Sequence, residues 1–345
     1  MKMNAAQYDE LIKGYAMTHA VIVHPEQVSF VLQEIVEMDE AHQQERLPRP
    51  EDLGTRIVNY APDRFAAKGG FGAASFSGAR RVYVSFGDRT VTLTGDWKTW
   101  EPRAQKGFNR FDADDAKRGK AAWALERIDE QVFAAGSMRK LYRRTGPVTW
   151  EDLTREQQHP QLYQDIDELK ARGLRYMDME IGFHALDGFS ETDIYVGGDR
   201  GDCWRYDGTT WHRLDLPLNF RIDAICCAGD GNVYIGGSGD QILRGREDEW
   251  EALASPTGDY IYAADINAMA WYDGRLWAAT DLGLFTLEDD ELRAYTFPES
   301  GAVQHSFKRV TASEHGLLSY GLYQALVYDG TAWTELIGTP ALDQG

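Results

Sequence analysis

Aspartates recur at a fixed interval in the second half of the chain. Asp199 and Asp202 fall in one turn, Asp240 in the equivalent turn about 40 residues on, and Asp281 in the next. Carboxylates that converge from successive repeats can coordinate calcium through oxygen ligands. They can also act as a general acid and base pair, or meet the Lys and Arg side chains of another protein. Against these stands the commonest use of a turn aspartate, which is to accept hydrogen bonds from nearby backbone N–H groups. Arg200 and Asp259 join the set. Tyr260 and Tyr262 in one loop and Tyr320 and Tyr323 in another add aromatic contact area on the same side. Tyrosine anchors interfaces at little entropic cost, so together these residues form a candidate partner-binding set.

Other chemistries find little support. No Gly-x-Ser-x-Gly nucleophile motif occurs. Gly197-Gly198-Asp199-Arg200-Gly201 and Gly236-Gly237-Ser238-Gly239 are glycine-rich. They precede strands, however, and phosphate cradles of this kind need a helix N-terminus. The eight histidines include no i, i+4 pair and no His-x-His, so spacing argues for no metal. Cys203, Cys226 and Cys227 are an odd count without zinc spacing, which suggests no disulfide framework and a reducing compartment. No cofactor is expected.

The elements that would position the aspartates emerge from an internal repeat. Asp193-Ile194-Tyr195-Val196-Gly197-Gly198 aligns with Asn232-Val233-Tyr234-Ile235-Gly236-Gly237, and the same offset carries Trp211 onto Trp250 and Leu214 onto Leu253. Related blocks are Leu276-Trp277-Ala278-Ala279 closing at Tyr295, and Leu317-Leu318-Ser319-Tyr320 closing at Trp333 and Leu336. Earlier ones are Val132 to Gly136 closing at Trp150 and Leu153, and Val82-Tyr83-Val84 leading to Trp100. Each copy reads as four short strands. Asp-Gly pairs at Asp187-Gly188, Asp207-Gly208, Asp230-Gly231, Asp273-Gly274 and Asp329-Gly330 suit the positive φ of tight hairpins. A four-stranded unit cannot cover both its faces alone, whereas radial stacking covers them. The expected fold is therefore all-β, a β-propeller of six, alternatively seven, four-stranded blades. The periodic Trp100, Trp150, Trp211, Trp250 and Trp333 should pack between blades. A β-sandwich would not repeat at this interval with a Trp in the last strand.

Residues 1–54 do not fit the repeat and read as a partly helical N-terminal extension, a ring-closure strand or a degenerate blade. Asn4 to Ala16 suggests a short helix and Ala20 to Val23 a strand. From His24-Pro25-Glu26 the spacing of Val28, Leu32, Ile35 and Met38 predicts an amphipathic helix. The propeller is expected over 55–337, with a tail at 338–345. Insertions at 102–120 and 154–178 follow last strands and would reach one face, where loops usually encode binding.

The chain has 345 residues, 43% apolar and 26% charged, and a formal charge of −19. Only residues 55–150 carry a net positive balance, and their basic residues are scattered. Such a chain repels nucleic acid and anionic lipid, which bind through clustered Lys and Arg. It favours a basic protein partner. No apolar run approaches the ~18 residues of a membrane helix, and Met1 to Glu10 is too polar for a signal peptide. A cytoplasmic location is expected.

Trp204-Arg205-Tyr206-Asp207-Gly208-Thr209-Thr210-Trp211, echoed by Val327-Tyr328-Asp329-Gly330-Thr331-Ala332-Trp333, resembles the blade signature of bacterial kelch-like and WD40-like propellers. An acidic cytosolic propeller with worn repeats looks by class like bacterial immunity proteins, which plug the active site of an interbacterial toxin. That resemblance implies a non-enzymatic binder of a basic partner. The alternatives are a propeller hydrolase or lactonase with a metal-carboxylate site in the channel, and a scaffold or lectin-like module.

Overall fold

The computed structural model describes residues 3–24, 27–35, 55–61, 64–66, 72–75, 82–85, 122–129, 131–136, 139–145, 150–154, 171, 182–253, 264–297 and 308–338. A short helix α1 (Ala5–Leu11) opens the chain. It is held by a capping box in which Asn4 Oδ1 accepts from Gln7 N–H and Gln7 Oε1 accepts from Asn4 N–H. Apart from 3-10 turns at Asp199–Gly201 and Ser238–Asp240, the other elements are antiparallel strands.

Five consecutive four-stranded meanders run from Ala122 to Ile337. Their strands are β7 (Ala122–Ile128) to β10 (Trp150–Asp152), β11 (Phe183–Ser190) to β14 (Trp211–Arg213), and β15 (Ile222–Cys227) to β18 (Glu249–Ala252). They continue as β19 (Ile266–Tyr272) to β22 (Glu291–Ala294) and β23 (Arg309–Ser313) to β26 (Trp333–Ile337). Before them lie a two-stranded sheet, β5 (Gly72–Ser75) and β6 (Val82–Ser85), and a four-stranded sheet, β1 (Tyr15–His24), β2 (Gln27–Glu34), β3 (Thr55–Ala61) and β4 (Arg64–Ala66). The first strand of each unit contacts the first strand of the next, and β1 contacts both β5 and β23. The ring closes around an axis lined by first strands. This is a β-propeller with four-stranded blades and one helix.

The repeat predicts six, alternatively seven, four-stranded blades, and the structure corrects both counts. Five copies complete such a blade; the copy at Val82 contributes two strands among the described residues. A boundary at residue 54 would cut one sheet between β2 and β3. The helix expected after His24 is instead the strand β2, because Val28, Phe30 and Leu32 are all buried at a period of two. This sheet seals against the last blade. Met17, Ile22, Phe30 and Leu32 share a core with Leu318, Ala325 and Ile337, and Met3 N–H donates to Leu336 O at 2.8 Å.

Contacts between blades explain the repeat's residues. A Cβ on Gly197 would lie 2.5 Å from Ile222 of the next blade, and one on Gly236 would lie 2.8 Å from Ile266. Each glycine thus lets the neighbouring first strand approach. Trp211, in the outer strand β14, is buried, and its indole N–H donates to Leu153 O of the preceding blade at 3.1 Å. Trp250 meets Tyr195 edge-on at 6.4 Å, and Trp333 meets Trp277 at 5.8 Å, again one blade back. Trp100 and the Trp150 side chain lie outside the described residues. The Asp-Gly turns also hold at four sites: Gly208, Gly231, Gly274 and Gly330 all have positive φ. Asp187-Gly188 is the exception, lying inside β11 with Asp187 accepting from Gly188 N–H and Cys227 N–H at 2.7 Å each. It links two first strands instead of turning a hairpin.

Replacing Trp211 by Ala removes packing from both blades it joins and should cost about 3–5 kcal/mol. Trp211→Phe, which keeps most of the ring but loses the bond to Leu153, should cost about 1 kcal/mol. Denaturant unfolding followed by tryptophan-independent circular dichroism checks both.

Candidate functional site

A β-bulge recurs where four first strands begin. Pairing slips by one residue at Trp123, His184, Asp223 and Asn267. A bulge frees one residue from the ladder and re-aims its side chain. Here these four side chains line the mouth of the central channel, a cavity of about 580 Å³. Its walls below are mainly small and apolar, among them Ala124, Ala185, Ala224, Ala268 and Met269.

The mouth is polar and internally paired. Trp123 stacks on His184 with ring centroids 4.6 Å apart and planes 7° from parallel. His184 Nε2 lies 3.2 Å from Asp199 Oδ2. Arg221 Nε donates to both Asp223 oxygens at 2.9 and 3.0 Å. Burial holds the Asp223 carboxyl above its ordinary range despite that ion pair. Asp281 accepts from Asn267 Nδ2 at 3.2 Å and from Lys308 Nζ at 3.0 Å, while Arg309 Nη1 donates to Asn267 O at 2.6 Å. Deeper in the channel, burial and the neighbouring Asp187 push the Glu126 carboxyl well above its usual range. Burial raises Asp187 too, against the two N–H groups that favour its charged form. Among the described residues, no group of three or more His, Cys, Asp or Glu side chains could hold a metal ion.

The candidate partner-binding residues divide sharply. Asp199, Arg200 and Asp281 stand in turns around the mouth, with Arg200 and Asp281 exposed and Tyr323 half-buried beside them. Asp202 is half-buried and tied to the preceding blade: it accepts Arg139 Nε at 2.6 Å and Nη2 at 3.0 Å, and Trp204 Nε1 at 2.9 Å. Asp240 is 5% exposed, drawn inward by a left-handed backbone (φ 56°). Tyr320 is equally buried, in the core that seals the N-terminal sheet. Its side faces the channel, not the rim. Asp259, Tyr260 and Tyr262, and most of the two insertions, lie outside the described residues.

Among the described residues, the mouth carries cations as well as acids. Arg221, Lys308 and Arg309 offset the acids at the mouth. Among the described residues, exposed acids also crowd the opposite face, in hairpins carrying Asp230, Asp248, Glu249, Asp289, Asp290 and Asp329. Sequence reasoning missed the four bulge residues. Their signal is a variable side chain just before an alanine: Ala122-Trp123-Ala124, Phe183-His184-Ala185, Ile222-Asp223-Ala224 and Ile266-Asn267-Ala268.

Against known proteins, the chain is 31% identical over 226 residues to the immune protein Tsi7 of Pseudomonas aeruginosa, covering 65% of this chain and 67% of that one. No family model matches. Among solved structures, a computationally designed protein, Ika8, has 13% identity and a TM-score of 0.48, covering 94% of this chain and 88% of its own. YCF48 bound to D1 peptide has 9% identity and a TM-score of 0.44, covering 94% and 82%.

Two outcomes follow from the buried charges. Asp202→Ala removes the carboxylate paired with buried Arg139 and should lower the melting temperature. For Glu126, a carboxyl raised in the folded state binds its proton more tightly there than in the unfolded chain. Its stabilising contribution is present at low pH and declines as pH rises above about 4.5, the ordinary value. Glu126→Gln should flatten that decline in a pH series of denaturation curves; an unchanged slope would contradict the burial of its charge.

Proposed function

The chain belongs to the family of the immune protein Tsi7, and on that premise we propose that it is an immunity protein that binds and occludes a toxin. Family membership carries this reading and makes the protein non-enzymatic. The partner is a protein with a basic surface, because a chain of formal charge −19 attracts cationic proteins and speeds their encounter. Contact is made at the channel mouth. There Asp199, Arg200, Asp281 and Tyr323 stand on turns between second and third strands, which the blades hold at fixed spacing around the ring.

The mouth suits occlusion better than catalysis. Several of its charged groups are already paired, Asp199 with His184, Asp223 with Arg221 and Asp281 with Lys308, so they present a preorganised polar surface. Long-range attraction belongs to the acidic hairpin face as well as the mouth, whereas short-range pairing belongs to the mouth alone. We place the protein in the cytoplasm. All three cysteines are free, and burial raises each thiol above its ordinary range, as befits residues that serve packing in a reducing compartment. No helix among the described residues is long and apolar enough to cross a membrane.

The reading is tested by mixing the purified chain with the protein product of each neighbouring gene in its native operon. A stoichiometric complex that suppresses the toxin's activity is expected; no complex with any neighbouring product would refute it. Within that complex, Asp199→Lys with Asp281→Lys should weaken binding about tenfold at low salt, since each rim pair contributes up to about 1 kcal/mol. The difference should shrink toward 0.5 M NaCl, as screening predicts. Surface plasmon resonance across a salt series measures both.

A further inference from the structure

Three large apolar side chains are exposed among the described residues: Ile35, Leu282 and Leu322, at 36%, 47% and 49%. All three occupy the same place in the fold. Leu282 lies between β20 (Arg275–Thr280) and β21 (Gly283–Glu288), and Leu322 between β24 (Gly316–Tyr320) and β25 (Ala325–Tyr328). Ile35 directly follows β2 in the corresponding connection of the N-terminal sheet. These units are consecutive around the ring, since β19 touches β23 and β23 touches β1. The apolar residues therefore form one arc on the channel-mouth face. The equivalent tips on the β11 and β15 blades are polar or bare: Arg200, and Ser238-Gly239.

The arc is rigidly presented. Leu282 N–H donates to the buried Thr280 hydroxyl at 3.0 Å, and that hydroxyl donates to Gly283 O at 3.2 Å. Leu322 O accepts Met17 N–H of the neighbouring sheet at 2.8 Å, and Gly321 N–H donates to Gln324 O at 2.9 Å. Ile35 N–H donates to Gly14 O at 2.8 Å. None of these bonds uses an apolar side chain, so each side chain is held out by main chain fixed for other reasons. Anchors already ordered before binding lose little entropy when covered.

Resting on the immune-protein reading above, we infer that this arc is the affinity anchor for the toxin: a basic protein that seats apolar side chains across Ile35, Leu282 and Leu322. A second copy of the chain is a poor occupant, because two surfaces of charge −19 repel. An anionic lipid surface is disfavoured for the same reason. A cationic protein is drawn in by the whole molecule and held by the arc, with Asp281 and Lys308 beside Leu282 fixing orientation.

The test compares the wild-type chain with a variant carrying Ile35→Ser, Leu282→Ser and Leu322→Ser, together with the single changes Leu282→Ser and Leu322→Ser. Each is titrated at 0.15 and 0.5 M NaCl against the neighbouring gene product that the wild-type chain binds. Melting temperatures should barely move, because exposed side chains are replaced. The triple variant should bind about 100-fold more weakly at both salt concentrations, with the slope of affinity against salt unchanged. The single variants should show part of that loss, and they carry the test if the triple variant fails to fold. Wild-type binding with triple-variant affinity within threefold of it would overturn the arc and leave the immune-protein reading standing. Failure of the wild-type chain to bind would overturn both. A wild-type dimer in analytical ultracentrifugation that the triple variant dissolves would assign the arc to self-association and overturn the inference.

Discussion

Everything in this molecule follows from one constraint: a short four-stranded sheet has two apolar faces and nothing of its own to cover them. The ring solves this by wedging each first strand against the next blade. Ile222 sits against Gly197, and Ile266 against Gly236, where even a methyl group would collide. The outer edge is secured differently, by Trp211 reaching back to Leu153 and by Trp333 packing on Trp277. A ring built this way has no free end to fray once it is closed. Closure falls to residues outside the repeat, with Met3, Met17 and Leu32 meeting Leu318 and Ile337. The N-terminal sheet thus closes the ring by non-covalent packing, although its first two strands lie outside the repeat.

That constraint also sorts the charges. Strands that alternate direction send their hairpins between first and second strands, and between third and fourth, to one face. The turns between second and third strands go to the other. Asp-Gly hairpins make the first face acidic. At the second face, bulges at Trp123, His184, Asp223 and Asn267 aim their side chains into the channel, where His184 stacks on Trp123, Arg221 pairs with Asp223, and Arg309 of the next blade bonds the Asn267 carbonyl. Ion pairs that cross blades, such as Arg139 with Asp202 and Arg246 with Asp193, then act as staples between units. An acidic composition therefore does not translate into an acidic mouth. It supplies a field that attracts, while the mouth supplies shape.

Much of the architecture was legible in the chain because packing between blades repeats with the blades. Trp211 and Trp250 announce their role by spacing alone. The N-terminal strand was not legible for a definite reason. Val28 and Leu32 fit both a helical and a strand period, and only Phe30, also buried, separates the two. Asp187-Gly188 misled because its dipeptide matches a hairpin while its partner, Cys227, lies 40 residues away. Asp202 likewise has a partner that its local sequence does not show, the Arg139 guanidinium of the preceding blade. Turn chemistry is local and readable; ion pairing across blades depends on the ring and is not. The channel residues escaped notice since a bulge leaves only a faint mark, one variable side chain ahead of an alanine.

The most direct test of the central claim is hydrogen exchange on the free chain and on its complex with the toxin. Occlusion through the channel mouth predicts slowed exchange in the turns 199–201, 281–282 and 321–323, with the hairpins 207–210, 247–249 and 289–291 unchanged. Protection confined to those acidic hairpins, with the mouth exchanging as freely as before, would contradict it.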